Sequence, residues 1–323
     1  MKKINIGLLG MGNIGTGTYK TLEMNRKQIT ENTGLELAIT KILEKDVARK
    51  RDVTVSPEQF TQEPDAVLRD PGIDIIIELL GGIEPATSFM LTAMENGKHV
   101  VTANKAAVAA NYEKLTDAAK ANHVLFRFEA SVGGGIPILN ALTTALLANE
   151  YEEILGILNG TTNYILTKMA EDGRPYEDVL REAQEKGFAE ADPTADVEGH
   201  DVANKLSILI SLVFGKRVPP QEIPTEGITG VTMRDIEKAA ADGGKIKLIA
   251  TARRTGDGLE YHVKPVFVRG DHPLAGVNNE FNAIFVKGNA VDQLMFYGKG
   301  AGALPTGSAV MGDVIEIARA IAK

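Results

Sequence analysis

The stretch VEGHDVANKLSILISLVF, residues 197–214, carries a carboxylate and an amine one helical step apart, Asp201 and Lys205, just ahead of an apolar run. An ammonium steadied by a carboxylate can release a proton and take it back, which is general acid–base chemistry. The same spacing also makes an ordinary surface pair, contributing about 0.3–0.5 kcal/mol to a helix. From Leu206 onward the stretch is apolar almost all round, so the pair stands where a helix enters a core.

A second chemistry-bearing pattern lies near the N-terminus. Gly10, Met11, Gly12, Asn13, Ile14 and Gly15 fit G-x-G-x-x-G. Lys3–Leu9 before them reads as a buried strand, and the residues from Asn13 to Asn25 read as a helix. A strand that turns tightly into a helix N-terminus brings backbone N–H groups up to a pyrophosphate. The first two glycines permit the turn and the approach of the ligand, and the third lets helix and strand pack closely.

The elements that must hold these residues follow from the alternation of apolar runs. Leu35–Leu43, Ile73–Leu80, His99–Thr102 and Val124–Glu129 read as further strands with helical segments between them. That is an α/β Rossmann-type domain, a doubly wound parallel sheet whose ligands sit beyond the carboxyl ends of its strands. Gly81-Gly82, Asn104-Lys105 and Ala130-Ser131 then share one rim with the glycine loop. After the second strand come Glu44 and the basic residues Lys45, Arg49, Lys50 and Arg51, a set that points to NADP with NAD tolerated.

Further along, helices are expected at 138–150, 176–187 and 201–215, and strands at 246–255, 259–268, 282–288 and 292–298. Turns such as Gly256-Asp257-Gly258 suggest hairpins and a mainly antiparallel sheet, hence an α+β domain. Residues 1–135, completed by a C-terminal helix at 305–323, are expected to form the dinucleotide domain, and 136–304 a substrate-binding and dimerisation domain.

Composition narrows the function. The 323 residues are 44% hydrophobic and 24% charged with a net charge of −8, ordinary for a globular chain and poor for nucleic-acid binding. No apolar run reaches the roughly 18–20 residues of a membrane helix, and the glycine-broken N-terminus does not make a signal peptide, so a cytoplasmic enzyme is expected. There is no cysteine, which excludes disulfides, thiolate metal sites and a thiol nucleophile. The five histidines are scattered, without the spacing of a catalytic metal site.

GMGNIG, VVTANKAAVA, FEASVGGGIPIL, LNGTTNYIL, GFAEADPTADVEGHDVANKL, NAIFVKG and GKGAGALPTGSAVMGD occur in that order. Together they closely resemble homoserine dehydrogenase, over essentially the whole chain. The resemblance implies reversible NAD(P)H-dependent conversion of L-aspartate 4-semialdehyde to L-homoserine, in threonine, methionine and isoleucine biosynthesis. It also implies a short form without the C-terminal ACT regulatory domain that many members carry. Gly307 stands where the family more often has alanine, which is expected to loosen packing there.

By the same resemblance Lys205 is the acid/base, with Asp201 and Lys105 beside it. Glu190 and Asp201 contact homoserine, with Glu190 holding its ammonium group and Thr161 the candidate for its carboxylate. Gly187 and Gly302 lie against the cofactor. Glu129, Val132, Gly134 and Ile136 surround a structural sodium ion, the last three through backbone oxygens, although a glycine hinge between domains accounts for the same segment. A homodimer or homotetramer is implied, with neither nucleic acid nor membrane as partner. Two other readings remain at this stage, a non-catalytic NAD(P)-binding sensor and a dehydrogenase of another small hydroxy compound. A phosphorylating aldehyde dehydrogenase is closed off by the missing cysteine.

Overall fold

The computed structural model describes residues 1–256 and 258–322. It divides into two units, Met1–Gly135 with the chain from Ala301 onward, and Ile136–Gly300.

The first unit runs β1 (Lys2–Leu9), α1 (Asn13–Thr33), β2 (Leu35–Leu43), β3 (Phe60–Thr61), α2 (Asp65–Leu68), β4 (Ile75–Glu78), α3 (Ala86–Glu95), β5 (His99–Thr102), α4 (Lys105–Ala121) and β6 (Phe126–Arg127). All six strands pair in parallel, in the order β3-β2-β1-β4-β5-β6. The order reverses between β1 and β4, and the glycine loop leaves β1 at that point. Ile4, Ile6, Leu8 and Leu9 of β1 and Ile75–Ile77 of β4 are all buried, as expected of strands covered on both faces.

Three expectations need correction here. The first helix does not stop near Asn25 but continues to Thr33, where Gly34 closes it in the left-handed region (φ 71). Its polar second half is held by Arg26 Nη1, which donates to the Leu37 carbonyl at 3.0 Å, rather than by a wide apolar stripe. The third strand spans only Ile75–Glu78, and the last shrinks to Phe126–Arg127 because Glu129–Ser131 turn into a 3-10 segment.

The C-terminal helix, Ala303–Ala322, lies against α1 in this unit. A methyl on Gly17 would come within 2.2 Å of the Ala303 carbonyl oxygen, and one on Gly307 within 2.8 Å of the Gly17 backbone. Gly307 therefore permits a close backbone crossing, the opposite of the loosening anticipated from its sequence.

The second unit contains β7 (Tyr151–Ile157), α5 (Gly160–Asp172), α6 (Tyr176–Glu185), α7 (Thr194–Val197), α8 (His200–Phe214), α9 (Met233–Ala241), β8 (Gly244–Thr255), β9 (Gly258–Arg269), β10 (Phe281–Gly288) and β11 (Asp292–Lys299). Its sheet is antiparallel throughout, in the order β11-β10-β7-β8-β9. Helices α5, α8 and α9 pack against β8. Phe267, Met295 and Tyr297 on β9 and β11 remain exposed. The central strand β7 carries no clear alternation and is not evident from the sequence. The helix expected at 138–150 is reduced to a short segment with a π turn at Ala141–Ala145. There the hydroxyls of Thr143 and Thr144 donate to the Leu139 and Asn140 carbonyls, which competes with regular helix. The expected turn at 256–258 includes Asp257, which lies outside the described residues.

The α1 crossing yields a direct test. Gly17→Ala should lower the melting temperature of the protein, because its methyl meets backbone rather than a movable side chain, an overpacking cost of about 1–3 kcal/mol. Thermal unfolding followed by circular dichroism measures it, and an unchanged midpoint would contradict the close crossing.

Candidate active site

The glycine loop of the first unit separates protein constraints from ligand constraints. Gly10 sits at φ 89, and a Cβ there would lie 2.9 Å from the Leu79 carbonyl oxygen. A Cβ on Gly15 would lie 2.2 Å from the Gly10 carbonyl oxygen. Both glycines are thus demanded by the fold itself. A Cβ on Gly12 would meet nothing within 4 Å. Gly12 is the N-cap of the 21-residue α1 and offers no side chain to its first turn. Open space before bare helix N–H groups suits a pyrophosphate, so the cradle fits a dinucleotide. Asn13 is exposed and Ile14 half-buried beside it.

At the end of β2, Glu44 turns back to the loop. Its Oε2 accepts the Met11 N–H at 2.8 Å and lies 3.3 Å from Arg51. Burial alone would raise the Glu44 carboxyl, but the N–H groups of Asp46, Met11 and Lys45, with Arg51, outweigh it and hold the group below its usual range. The Arg51 guanidinium donates to the carbonyls of Met11 (2.9 Å), Arg49 (2.8 Å) and Asp46 (2.8 Å). Arg51 is therefore part of the loop's scaffold, while Lys45, Arg49 and Lys50 are exposed.

The opposite side of the rim is held by residues the sequence did not single out for this role. Glu78, fully buried at the end of β4, accepts Thr102 Oγ1 at 2.6 Å and the Leu80 N–H at 2.8 Å. Burial pushes its carboxyl above the usual range against those bonds. Asn104 caps α4 by accepting the Ala107 N–H and donates to the Gly82 carbonyl at 2.7 Å. Lys105 is thereby set at the first position of α4, on the rim. Gly302, at φ 114, leads into the C-terminal helix of the same unit.

Glu129, Val132 and Gly134 also belong to this unit, and Ile136 is the first residue of the other. Glu129 is buried, and its backbone N–H donates to Asp313 Oδ2 at 2.9 Å. Burial first, with the Glu129 charge adding to it, pushes Asp313 up to about 8. Glu129 and Asp313 are both buried, and carboxyl oxygens held out of water, with a glycine-rich segment following Glu129, fit a hard cation. Among the described residues no cluster of three or more His, Asp or Glu side chains forms a metal site, so such an ion would depend on backbone oxygens.

In the second unit Asp201 and Lys205 are not a surface pair. They are 5% and 7% exposed, and Lys205 Nζ lies 2.6 Å from Asp201 Oδ2 and 2.7 Å from the Leu158 carbonyl oxygen. Leu158 follows β7 and Asn159 caps α5, so the strand–helix turn delivers both to the pair. Asn159 Nδ2 donates to Asp196 Oδ1 at 2.7 Å and to Asp201 Oδ2 at 3.0 Å. Burial, then the charge of Asp201, raises the Asp196 carboxyl. Glu190 and Gly187 are exposed on the segment between α6 and α7, with Gly187 at φ 74. Gln184 Nε2 donates to the Glu190 carbonyl at 3.1 Å.

Thr161 reaches this cluster but in an unexpected role. Its hydroxyl is 2.6 Å from the Phe188 carbonyl oxygen and 3.2 Å from Asp196 Oδ2. A hydroxyl has one proton, and the shorter contact is to an acceptor that cannot donate, so the proton goes to Phe188. The side chain therefore fastens the segment at Phe188. Asn159 was missed as a site residue, and Asn104 was placed on the rim without its capping role. An asparagine immediately before a helical run, in TANK and in LNG, is an N-cap signal that could have marked both.

A parallel six-stranded sheet with a glycine cradle, and a separate unit with a buried lysine–carboxylate pair, define an NAD(P)-dependent oxidoreductase acting on a small molecule. The family model for the homoserine dehydrogenase NAD-binding domain matches residues 10–129, and that for homoserine dehydrogenase matches residues 137–315. The chain belongs to the homoserine dehydrogenase family. The Bacillus subtilis homoserine dehydrogenase is 44% identical over 317 residues, covering 98% of this chain and 73% of the relative. A Thiobacillus denitrificans homoserine dehydrogenase structure superposes with a TM-score of 0.95 at 42% identity, covering 100% of this chain and 74% of that one. A hyperthermophilic archaeal homoserine dehydrogenase in complex with NADPH gives 0.81 at 26% identity, covering 98% of both chains. No described helix is long and apolar enough to cross a membrane.

One buried amine lies behind α5. Lys247 on β8, 1% exposed, donates to Asn163 Oδ1 at 2.9 Å and to the Val277 carbonyl at 2.5 Å. Burial, then nearby Lys245, pushes it down to about 7. A base whose folded value is depressed contributes stability that is complete above its unfolded value and is lost as pH falls through the folded one. Lys247→Met removes that dependence. The melting temperature of the variant minus that of the wild type should thus be larger at pH 7 than near pH 10, as read by differential scanning calorimetry, and a flat difference would refute it.

Proposed function

We propose that Lys205 is the proton donor for reduction of L-aspartate 4-semialdehyde to L-homoserine and the base for the reverse reaction. The observation that carries this reading is the burial of Lys205 with its ammonium 2.6 Å from Asp201. The bound nicotinamide supplies or accepts the hydride. Asp201 steadies the ammonium, and Lys105, on the rim of the nucleotide unit, is a second cation for the charge that develops on the substrate oxygen. Glu190 takes the substrate ammonium, and the N–H of Thr161 in the first turn of α5 takes its carboxylate. Gly187 and Gly302 lie along the cofactor.

NADP is the preferred cofactor in this reading, with NAD accepted. The exposed Lys45, Arg49 and Lys50 support it, as does the NADPH bound by the archaeal relative. The pathway is that of threonine, methionine and isoleucine, in the cytoplasm. The exposed Phe267, Met295 and Tyr297 support assembly through the second unit into a homodimer or homotetramer.

Purified protein should reduce NADP with L-homoserine and not with L-serine or L-threonine, as followed by absorbance of the reduced cofactor. Lys205→Ala should lower kcat by about 10²–10⁴-fold while cofactor affinity is retained. A variant within tenfold of wild-type kcat would remove Lys205 from the role.

A structural sodium ion at Glu129, with the backbone oxygens of Val132, Gly134 and Ile136, completes the proposal. Sodium chloride should raise the melting temperature more than choline chloride at equal ionic strength, and Glu129→Gln should abolish the difference. Equal midpoints in the two salts for the wild type would rule the ion out.

A further inference from the structure

We propose that Asn159 is a positioning residue for proton transfer, dividing its two amide hydrogens between Asp196 and Asp201 and so fixing the carboxylate against which Lys205 rests. The inference builds on the reading of Lys205 as the acid/base.

Every polar atom of the Asn159 side chain is engaged. Oδ1 accepts the Thr162 N–H at 2.9 Å and lies 3.0 Å from Thr162 Oγ1. Nδ2 donates to Asp196 Oδ1 at 2.7 Å and to Asp201 Oδ2 at 3.0 Å. The orientation of the amide is not arbitrary. Helix α5 needs an acceptor at its N-cap, so the oxygen must face Thr162 and the nitrogen must face the carboxylates. The residue is 6% exposed, so water does not readily replace these bonds.

The charged groups meeting here are Asp196 from α7 and Asp201 and Lys205 from α8. Glu190 and Asp192, on the segment before α7, are exposed, and Asp192 is taken up by Thr194. Glu198 faces Thr229 instead, and His200 is exposed. One carboxylate of the two meets the ammonium directly, and the amide supplies a hydrogen to each. Asp201 Oδ2 accepts from both Lys205 and Asn159, so the asparagine draws off part of the negative charge that would otherwise bind the lysine proton. Without that donor the ammonium holds its proton more tightly, and the base needed for alcohol oxidation forms only at higher pH.

The capping role and the donor role can be separated. Asn159→Asp and Asn159→Ser both keep a side-chain oxygen suited to the N-cap, and neither has an amide to donate. The test is the single-turnover rate of NADP reduction by L-homoserine across pH, with wild type, both variants and Lys205→Ala. Asn159→Ser is expected to move the midpoint of the profile upward by about one pH unit and to slow the reaction about tenfold at neutral pH. Asn159→Asp, with a third carboxylate, should move it further. NADP affinity, measured by fluorescence titration, should stay within about twofold in both, which a mere loss of folding would not allow. Profiles superimposing on wild type within about a third of a pH unit in either folded variant would overturn the inference. If Lys205→Ala remains active, the underlying reading fails; if it is inactive while the Asn159 profiles do not move, the positioning role alone fails.

Discussion

A lysine ammonium and an aspartate carboxylate taken out of water together set the terms for the second unit. Attraction between such groups repays their desolvation only when further hydrogen bonds satisfy them. Much of the local architecture supplies those bonds. The chain leaving β7 aims the Leu158 carbonyl at Lys205 Nζ, and the next residue aims an amide at Asp201. That same amide closes α5, so helix formation and charge satisfaction are one event. Behind α5, Asn163 donates to the carbonyls of Val277, Asn279 and Phe281 and accepts from Lys247, which ties the helix to β8 and to the start of β10.

The nucleotide unit uses absence where the other uses contact. Gly10 and Gly15 are required by neighbouring backbone, whereas Gly12 is required by nothing in the protein. A position left empty by the fold is where a ligand backbone can approach. Around it the rim is fixed by buried side chains, Glu78 with Thr102 and Asn104 on one side and Glu44 with Arg51 on the other. Arg51 illustrates how composition misleads. A basic residue after β2 suggests a phosphate ligand, yet its guanidinium is taken up by the carbonyls of Met11, Arg49 and Asp46 and by the Glu44 carboxylate. Of the basic run, Lys45, Arg49 and Lys50 remain exposed.

The first unit was largely legible in the sequence, because strand, tight turn and helix are local patterns with a fixed order. Apart from the packing role of Gly307, the errors there concern length. Strands shortened where a 3-10 turn or a loop competed, and α1 outran its apolar stripe until Gly34 stopped it. The second unit was less legible. Strand β7 has no alternating pattern, and its pairing with β8 and β10 joins segments far apart in the chain. The helix anticipated at 138–150 is reduced to a π turn at Ala141–Ala145, a difference in backbone hydrogen bonding that residue periodicity does not reveal.

What the sequence by itself determined was chemistry at short range: a glycine cradle ahead of a helix, a carboxylate and an amine one helical step apart, and the absence of any thiol. What the tertiary structure decided was which of those groups leave water and what they meet there. Lys205 finds its carbonyl 47 positions away and Asp201 its amide 42 positions away. The Thr161 hydroxyl finds the Phe188 carbonyl 27 positions on. Local periodicity reports which face of an element is apolar, and it carries no information about which distant segment will supply the hydrogen-bond partners that a buried charge requires.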